Sequence, residues 1–404
     1  MDRRSQSLIA MSGIIFIYTF ATSIMQYNLS IFTGAMAQSY TLFGIIMGLP
    51  WLFSLLTDIP VGALADRFGY KKTVALGLFG LSFSGFLLYG VSNFIQLFWV
   101  LVVFGVFEGL LTVAGLALVI LSSPSGKENQ FVGGYTTASS LGYVVGPFVG
   151  GLAVAWFGNG IPFLMFGVIC LFAAFVAIIL LKDGRGAQQS FFSALADVWK
   201  KDRVYISEVK EFFSVGRESL LVGCFMLLTG MWSEFIWAME PLFINQAGAS
   251  YAVGGIVLSF FVAPFALFGY AIGRWIDRTQ KRFFSIIFGL VCAGFGILFF
   301  SFATTPFWFC FFAALASVGF AFFYVSINGI FDSLSDHHRR GHMTGVWQAA
   351  EDIGFVLGPI AGGIIADFIG MRGAFFVFGA LFLMLTLPVI FVRRNIQFYE
   401  KKAA

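Results

Sequence analysis

The stretch Ser139–Gly158, SSLGYVVGPFVGGLAVAWFG, returns as Glu351–Gly370, EDIGFVLGPIAGGIIADFIG, at an offset of 212 (351 − 139). Gly142, Gly146, Pro147, Gly150 and Gly151 are matched by Gly354, Gly358, Pro359, Gly362 and Gly363. A second pair, GALADR (Gly62–Arg67) and GRWIDR (Gly273–Arg278), recurs at an offset of 211 (273 − 62). Two matches at offsets one residue apart read as two homologous halves. Parallel halves of this kind pack about a common axis, with a central site between them.

Both stretches lie in hydrocarbon-like surroundings. Of the 404 residues, 59% are hydrophobic and 11% charged, where a soluble protein of this length carries about 25% charge. A membrane span needs about 20 mostly apolar residues. Such runs occur at 8–32, 41–63, 73–91, 94–120, 131–156 and 161–181, and again at 219–245, 251–275, 283–303, 306–331, 343–366 and 373–392. The fold predicted is an all-α membrane protein of twelve transmembrane helices in two pseudo-symmetric six-helix bundles. The bundles are 1–182 and 219–404, joined by a linker over 183–218. The first apolar run continues to Phe32 without a small-residue cleavage site and is read as a retained span.

Basic residues set the orientation. With both termini on one side, that side receives every Lys and Arg of the 24 except Arg372. The termini are therefore expected in the cytoplasm, with the chain in the plasma or inner membrane. The net charge of +4 is this bias and points to no nucleic acid. In the linker, Phe191, Leu195, Val198 and Trp199 share a helical face near Lys200, Lys201 and Arg203. An interfacial amphipathic helix and a solvated linker both fit that pattern. Cys170, Cys224, Cys292 and Cys310 fall singly in apolar runs, with no disulfide or metal spacing. His337, His338 and His342 cluster in DHHRRGH and read as loop rather than metal site.

At these motifs the chain resembles the major facilitator superfamily. GALADRFGYKK is similar to that superfamily's signature between helices 2 and 3, and GYVVGPFVGG and GFVLGPIAGG to the glycine-proline motif of its drug–proton antiporter branch. The resemblance implies that Asp66 and Arg67 help to close the cytoplasmic side. Gly62 and Gly69 then permit a tight turn, and Asp58 supports the same network. Tyr70 stands where the family often has a basic residue. The helix-4 arginine of drug antiporters falls at Gly105 here, so an arginine-assisted proton relay does not carry over.

Gly142, Gly146 and Gly150 lie four apart and line one helix face, where small residues let helices approach closely. Pro147 removes a backbone hydrogen bond and permits a bend, as does Pro359. The face with Gly354, Gly358 and Gly362 repeats the pattern. Both suit a rocking interface, and both equally suit a static packing seam.

A transporter changes no covalent bond, so its chemistry lies in buried ions. Each costs roughly 2.5–3.5 kcal/mol at the centre of a span. Glu108, Glu234, Glu351 and Asp352 fall near mid-span, and Glu240 lies about 9 Å beyond Glu234. Glu240, next to Pro241, reads as an outer-mouth residue. No base lies at comparable depth. Five acids without a base cannot all stay ionised, which suits a proton carrier. At the 212 offset Glu351 and Asp352 replace Ser139 and Ser140, so packing alone does not demand acids there. A hydrogen-bonded structural role remains the alternative for each. Trp232 and Trp237 flank Glu234, an arrangement that suits a lipophilic cation as well as ordinary packing. Gln26, Tyr27, Asn28, Tyr324 and Asn328 could add polar contacts.

The leading expectation is a non-enzymatic secondary transporter, a monomer without metal or cofactor, driven by the proton gradient. It exports hydrophobic or cationic small molecules by antiport. Proton-coupled uptake of a neutral solute is the first alternative. A lipid flippase or a non-transporting sensor is the alternative of another class.

Overall fold

The computed structural model describes residues 3–124, 128–181, 189–191, 193–194, 217–334 and 340–391. Apolar runs with few polar interruptions form helices because hydrocarbon offers the backbone no hydrogen-bond partners. The first half holds α1 (Arg3–Met36), α2 (Tyr40–Phe68), α3 (Tyr70–Tyr89), α4 (Phe94–Ser122), α5 (Glu128–Phe157) and α6 (Ile161–Leu180). The second holds α7 (Arg217–Gln246), α8 (Tyr251–Thr279), α9 (Arg282–Phe300) and α10 (Pro306–Leu334). A continuous helical stretch, Arg340–Met384, then breaks at Gly370, where φ is 76°. Its arms are α11 (340–369) and α12 (371–384), and a short α13 (Thr386–Phe391) continues the second.

The described residues thus contain twelve long helices. Ten stretches are long and apolar enough to cross a membrane, and one of them, Ala349–Ile390, covers both α11 and α12. The remaining long helix is α7, which carries Glu234 and Glu240. Glycine turns punctuate both halves at matching places. Gly158 and Gly370 end the two repeated stretches with φ of 79° and 76°. Gly69, with φ of 113°, is matched 211 residues later by Gln280 at φ 54°. Gly69 therefore makes the turn expected of it. Gly62 does not, because it lies inside α2 with open space around it.

The chain divides into two compact units. Unit 1 is Met1–Phe32 with Leu49–Ser214, and unit 2 is Thr33–Gly48 with Val215–Ala404. The end of α1 and the start of α2 thus group with the second half. Glycines let helices approach closely throughout both units, and the repeated glycine-proline stretch makes a matching seam in each. In unit 1, α5 lies on α1: a Cβ at Gly142 would come 2.7 Å from Phe20 N, and one at Gly146 2.8 Å from Phe20 O. At Gly150 it would come 3.1 Å from Ile24 Cα. In unit 2, α11 lies on α7 in the same way. The corresponding distances are 2.8 Å from Gly354 to Met231 N, 2.9 Å from Gly358 to Met231 Cα and 2.6 Å from Gly362 to Phe235 Cδ2. The glycine-proline faces are filled by partner helices of their own unit.

These contacts fix one expectation. Gly354→Ala drives a methyl group into the α7 backbone, which cannot yield as a flexible side chain would, and overpacking of this kind costs about 1–3 kcal/mol. The variant is expected to unfold several degrees lower in a thermal melt. Gly133→Ala, in a helix with nothing within 4 Å, is expected to melt within a degree or so of the parent.

Candidate functional site

In unit 1 the site grows from α4. Glu108 is 2% exposed, and the Tyr18 hydroxyl of α1 donates to its Oε1 at 2.8 Å. The neighbouring glycines explain why α4 can bring an acid so close to other helices. A Cβ at Gly105 would sit 3.0 Å from the Pro50 carbonyl carbon, and one at Gly109 2.8 Å from Asp58 Oδ1. No side chain fits at Gly105 against α2, which gives a physical reason for the missing arginine. Asp58, expected to support Asp66 and Arg67, has its carboxyl against α4 beside Gly109. The Ser54 hydroxyl lies 3.5 Å from Asp58 Oδ1.

In unit 2 the site grows from α11. The backbone of Glu351 approaches Gly230, just as the Ser139 carbonyl accepts a hydrogen bond from Thr19 at 3.0 Å in unit 1. The Glu351 carboxyl lies near Asp352 and near Thr229, whose hydroxyl donates to the Met226 carbonyl at 2.6 Å. Tyr324 of α10 lies in the field of Glu351. An aromatic wall continues from Tyr324. Its ring stacks on Phe320 at 5.7 Å and meets Phe265 edge-on at 5.5 Å. Phe320 stacks in turn on Trp232 of α7 at 5.4 Å. Glu351, Asp352, Tyr324, Phe320 and Phe265 are only partly buried.

The other two candidate acids lie on α7, and only Glu240 departs from expectation. Glu234 is buried. Glu240, expected at an outer mouth, is 0% exposed and close to Cys310 of α10. Neither of its carboxyl oxygens has a hydrogen-bond partner among the described residues. Trp232 and Trp237 are both buried, and Trp232 backs the wall by stacking on Phe320.

At the signature between α2 and α3, the Tyr70 hydroxyl donates to Asp66 Oδ1. Tyr70 thus gives Asp66 a neutral donor where the family often has a cation. This role was missed in the sequence, although the position of Tyr70 one helical turn after Asp66 could have shown it. The amide of Gln189 lies 3.4 Å from the Arg67 carbonyl, and Phe191 packs edge-on against Phe68 at 5.6 Å. The rest of the linker helix expected from sequence, beyond Ala194, lies outside the described residues, as do His337 and His338.

Comparison with known proteins agrees with this architecture. The profile of the Major Facilitator Superfamily matches residues 11–239 and 219–402. The chain belongs to that superfamily. An uncharacterised MFS-type transporter of Methanocaldococcus jannaschii is 22% identical over 397 residues, covering 94% of this chain and 97% of its own. A multi-drug resistance efflux pump PmrA homolog of Lactococcus lactis is 23% identical, with 89% and 86% covered. Multidrug resistance protein 2 of Bacillus subtilis is 22% identical, with 78% and 77% covered. Among solved structures, a mutant of the peptide transporter POT shares the fold at a TM-score of 0.78 and 14% identity, over 97% of this chain and 95% of that one. A bacterial homolog of the human lysosomal transporter Spinster, inward-facing and unoccupied, reaches 0.73 at 16% identity, over 100% and 97%. The protein is a multi-pass membrane transporter by family.

The Tyr18–Glu108 pair offers a direct check on the unit 1 site. Removing the donor alone leaves a buried acid short of a partner, at a cost of about 1–3 kcal/mol. Tyr18→Phe is expected to lower the unfolding midpoint. Glu108→Leu is expected to cancel much of that effect, giving a coupling of about 1 kcal/mol in a double-mutant cycle read by chemical denaturation.

Proposed function

We propose that this transporter exports hydrophobic or cationic small molecules in exchange for protons, by alternating access, from a cell membrane with both termini in the cytoplasm. The observation that carries the reading is the partly buried aromatic cluster of Phe320, Tyr324 and Phe265, backed by buried Trp232, beside the carboxylates Glu351 and Asp352. A delocalised cation gains from ring faces and from a nearby carboxylate, and both gains grow where water is scarce. The same carboxylates attract protons, since no base shares their depth in the sequence. Substrate and proton then compete for one charge, which is the elementary requirement of exchange. Multidrug pumps among the relatives support the substrate class.

In this reading Glu351 and Asp352 hold the exchangeable charge. Glu108 in unit 1 is a second protonation site, and Glu234 and Glu240 keep α7 neutral by carrying protons. Tyr324, Phe320 and Phe265 supply the surface on which the substrate lies, with Trp232 behind them. Asp66, Arg67 and Tyr70 act at the cytoplasmic side as a conformational gate.

Competition makes a definite prediction. Binding of a lipophilic cation such as tetraphenylphosphonium, followed by tryptophan fluorescence, is expected to tighten as pH rises from 6 to 8. The sign follows because deprotonation frees the carboxylate for the cation. Glu351→Gln/Asp352→Asn is expected to bind about tenfold more weakly at pH 8, with the pH dependence flattened. An unchanged pH dependence in that variant would remove these two residues from the coupling role.

A further inference from the structure

Residues 33–48 pack within unit 2, although the chain on both sides of them belongs to unit 1. Three close approaches hold this piece to α11. A Cβ at Gly44 would come 2.7 Å from the carbonyl carbon of Pro359, and one at Gly48 2.7 Å from Val356 O. One at Gly363 would come 2.7 Å from the carbonyl carbon of Tyr40. At the end of this seam α2 begins, and its first amides need acceptors from outside the helix. Asp367 supplies them. Tyr40 N–H donates to Oδ1 at 2.8 Å, and Thr41 N–H donates to Oδ2 at 2.9 Å. The Tyr40 hydroxyl adds a bond of 3.2 Å to Gln246 Oε1 at the end of α7. In the first repeat the position of Asp367 is Ala155, so the helix itself does not call for an acid there.

We propose that Asp367 is a positioning residue whose carboxylate fastens the start of α2 to α11 and so sets how long residues 38–48 stay in unit 2. The segment is covalently joined to unit 1 at both ends. Within unit 2 it is held by two charge-assisted hydrogen bonds as well as by the glycine seam. The tie rests on contacts within unit 2 and on neither the substrate nor the coupling ion.

Asp367 is exposed and stands between the spans 343–366 and 373–392. The groups facing it are Thr41 and Tyr40 of α2. The nearest charge along the chain, Arg372, donates instead to the carbonyl of Ser301 at 2.8 Å. The Thr41 hydroxyl, with the Thr41 and Tyr40 amides, holds the Asp367 carboxyl below the usual aspartate range. A depressed carboxyl contributes above its ordinary titration and loses its contribution only as pH falls through the depressed value. The tie stays fastened around neutral pH, so protons that drive a cycle act elsewhere.

Hydrogen–deuterium exchange of the full chain in nanodiscs tests this. Asp367→Asn keeps the size of the side chain but removes its charge. Protection of peptides covering 38–48 is expected to fall about tenfold, while α3 and α4 keep theirs. Asp367→Glu is expected to restore part of the loss. Wild-type protection in 38–48, corrected for intrinsic rates, is expected to be flat from pH 6 to 8. If Asp367→Asn does not fold, Thr41→Val, which removes only the hydroxyl contact, is expected to give roughly a threefold loss in the same segment. Unchanged protection of 38–48 in these variants would overturn the proposal. So would a loss spread evenly over unit 2, or one that Asp367→Glu does not relieve.

Discussion

Between helices in a membrane, burying another leucine gains little, because lipid tails are as apolar as leucine. What holds helices together is close approach, and close approach needs backbones without side chains between them. Both units depend on this. In each, a helix bearing glycines at every fourth position lies directly on the backbone of another, α5 on α1 and α11 on α7. The proline in each seam removes one hydrogen bond at a point where the neighbouring helix keeps the backbone covered. The positive-φ glycines Gly158 and Gly370 then stop both helices at the same place in the repeat. The rest of each unit is positioned by these seams.

Once the seams are in place, the acids become legible as additions. Gly230 brings α7 onto the backbone of Glu351, and the Glu351 side chain lies near Tyr324 of α10 and Thr229 of α7. In unit 1 the same depth is served by Ser139, and the acid is moved to α4, where Gly105 and Gly109 make room against α2. The two halves share a scaffold and differ in where they carry charge. That difference lets one unit set carboxylates beside a partly buried aromatic cluster while the other holds its buried glutamate under Tyr18.

The repeat, the run lengths and the basic-residue bias gave away the helices and the two halves, because each is a pattern along the chain. Partners across the chain were harder to see. Tyr18 carries no sign in its own sequence that it will meet Glu108. Glu240 sits beside a proline near a helix end, and nothing local shows that α10 covers it completely. Gly62 looked like part of a turn because the turn at Gly69 is near, yet α2 runs straight through it. Asp367 was within reach. The comparison that exposed Glu351 against Ser139 also sets Asp367 against Ala155, but an acid at the end of a span looks ordinary until its helix-capping contact is seen.

The account stands on one claim, that substrate and proton compete for the carboxylates of α11. The most direct measurement places the purified protein in liposomes with an acidic lumen and a pH-sensitive dye inside. A lipophilic cation is then added to the bath. The account predicts that the lumen becomes less acidic as the cation accumulates, and that the response disappears in Glu351→Gln/Asp352→Asn. Accumulation of the cation with no change in lumen pH would contradict it.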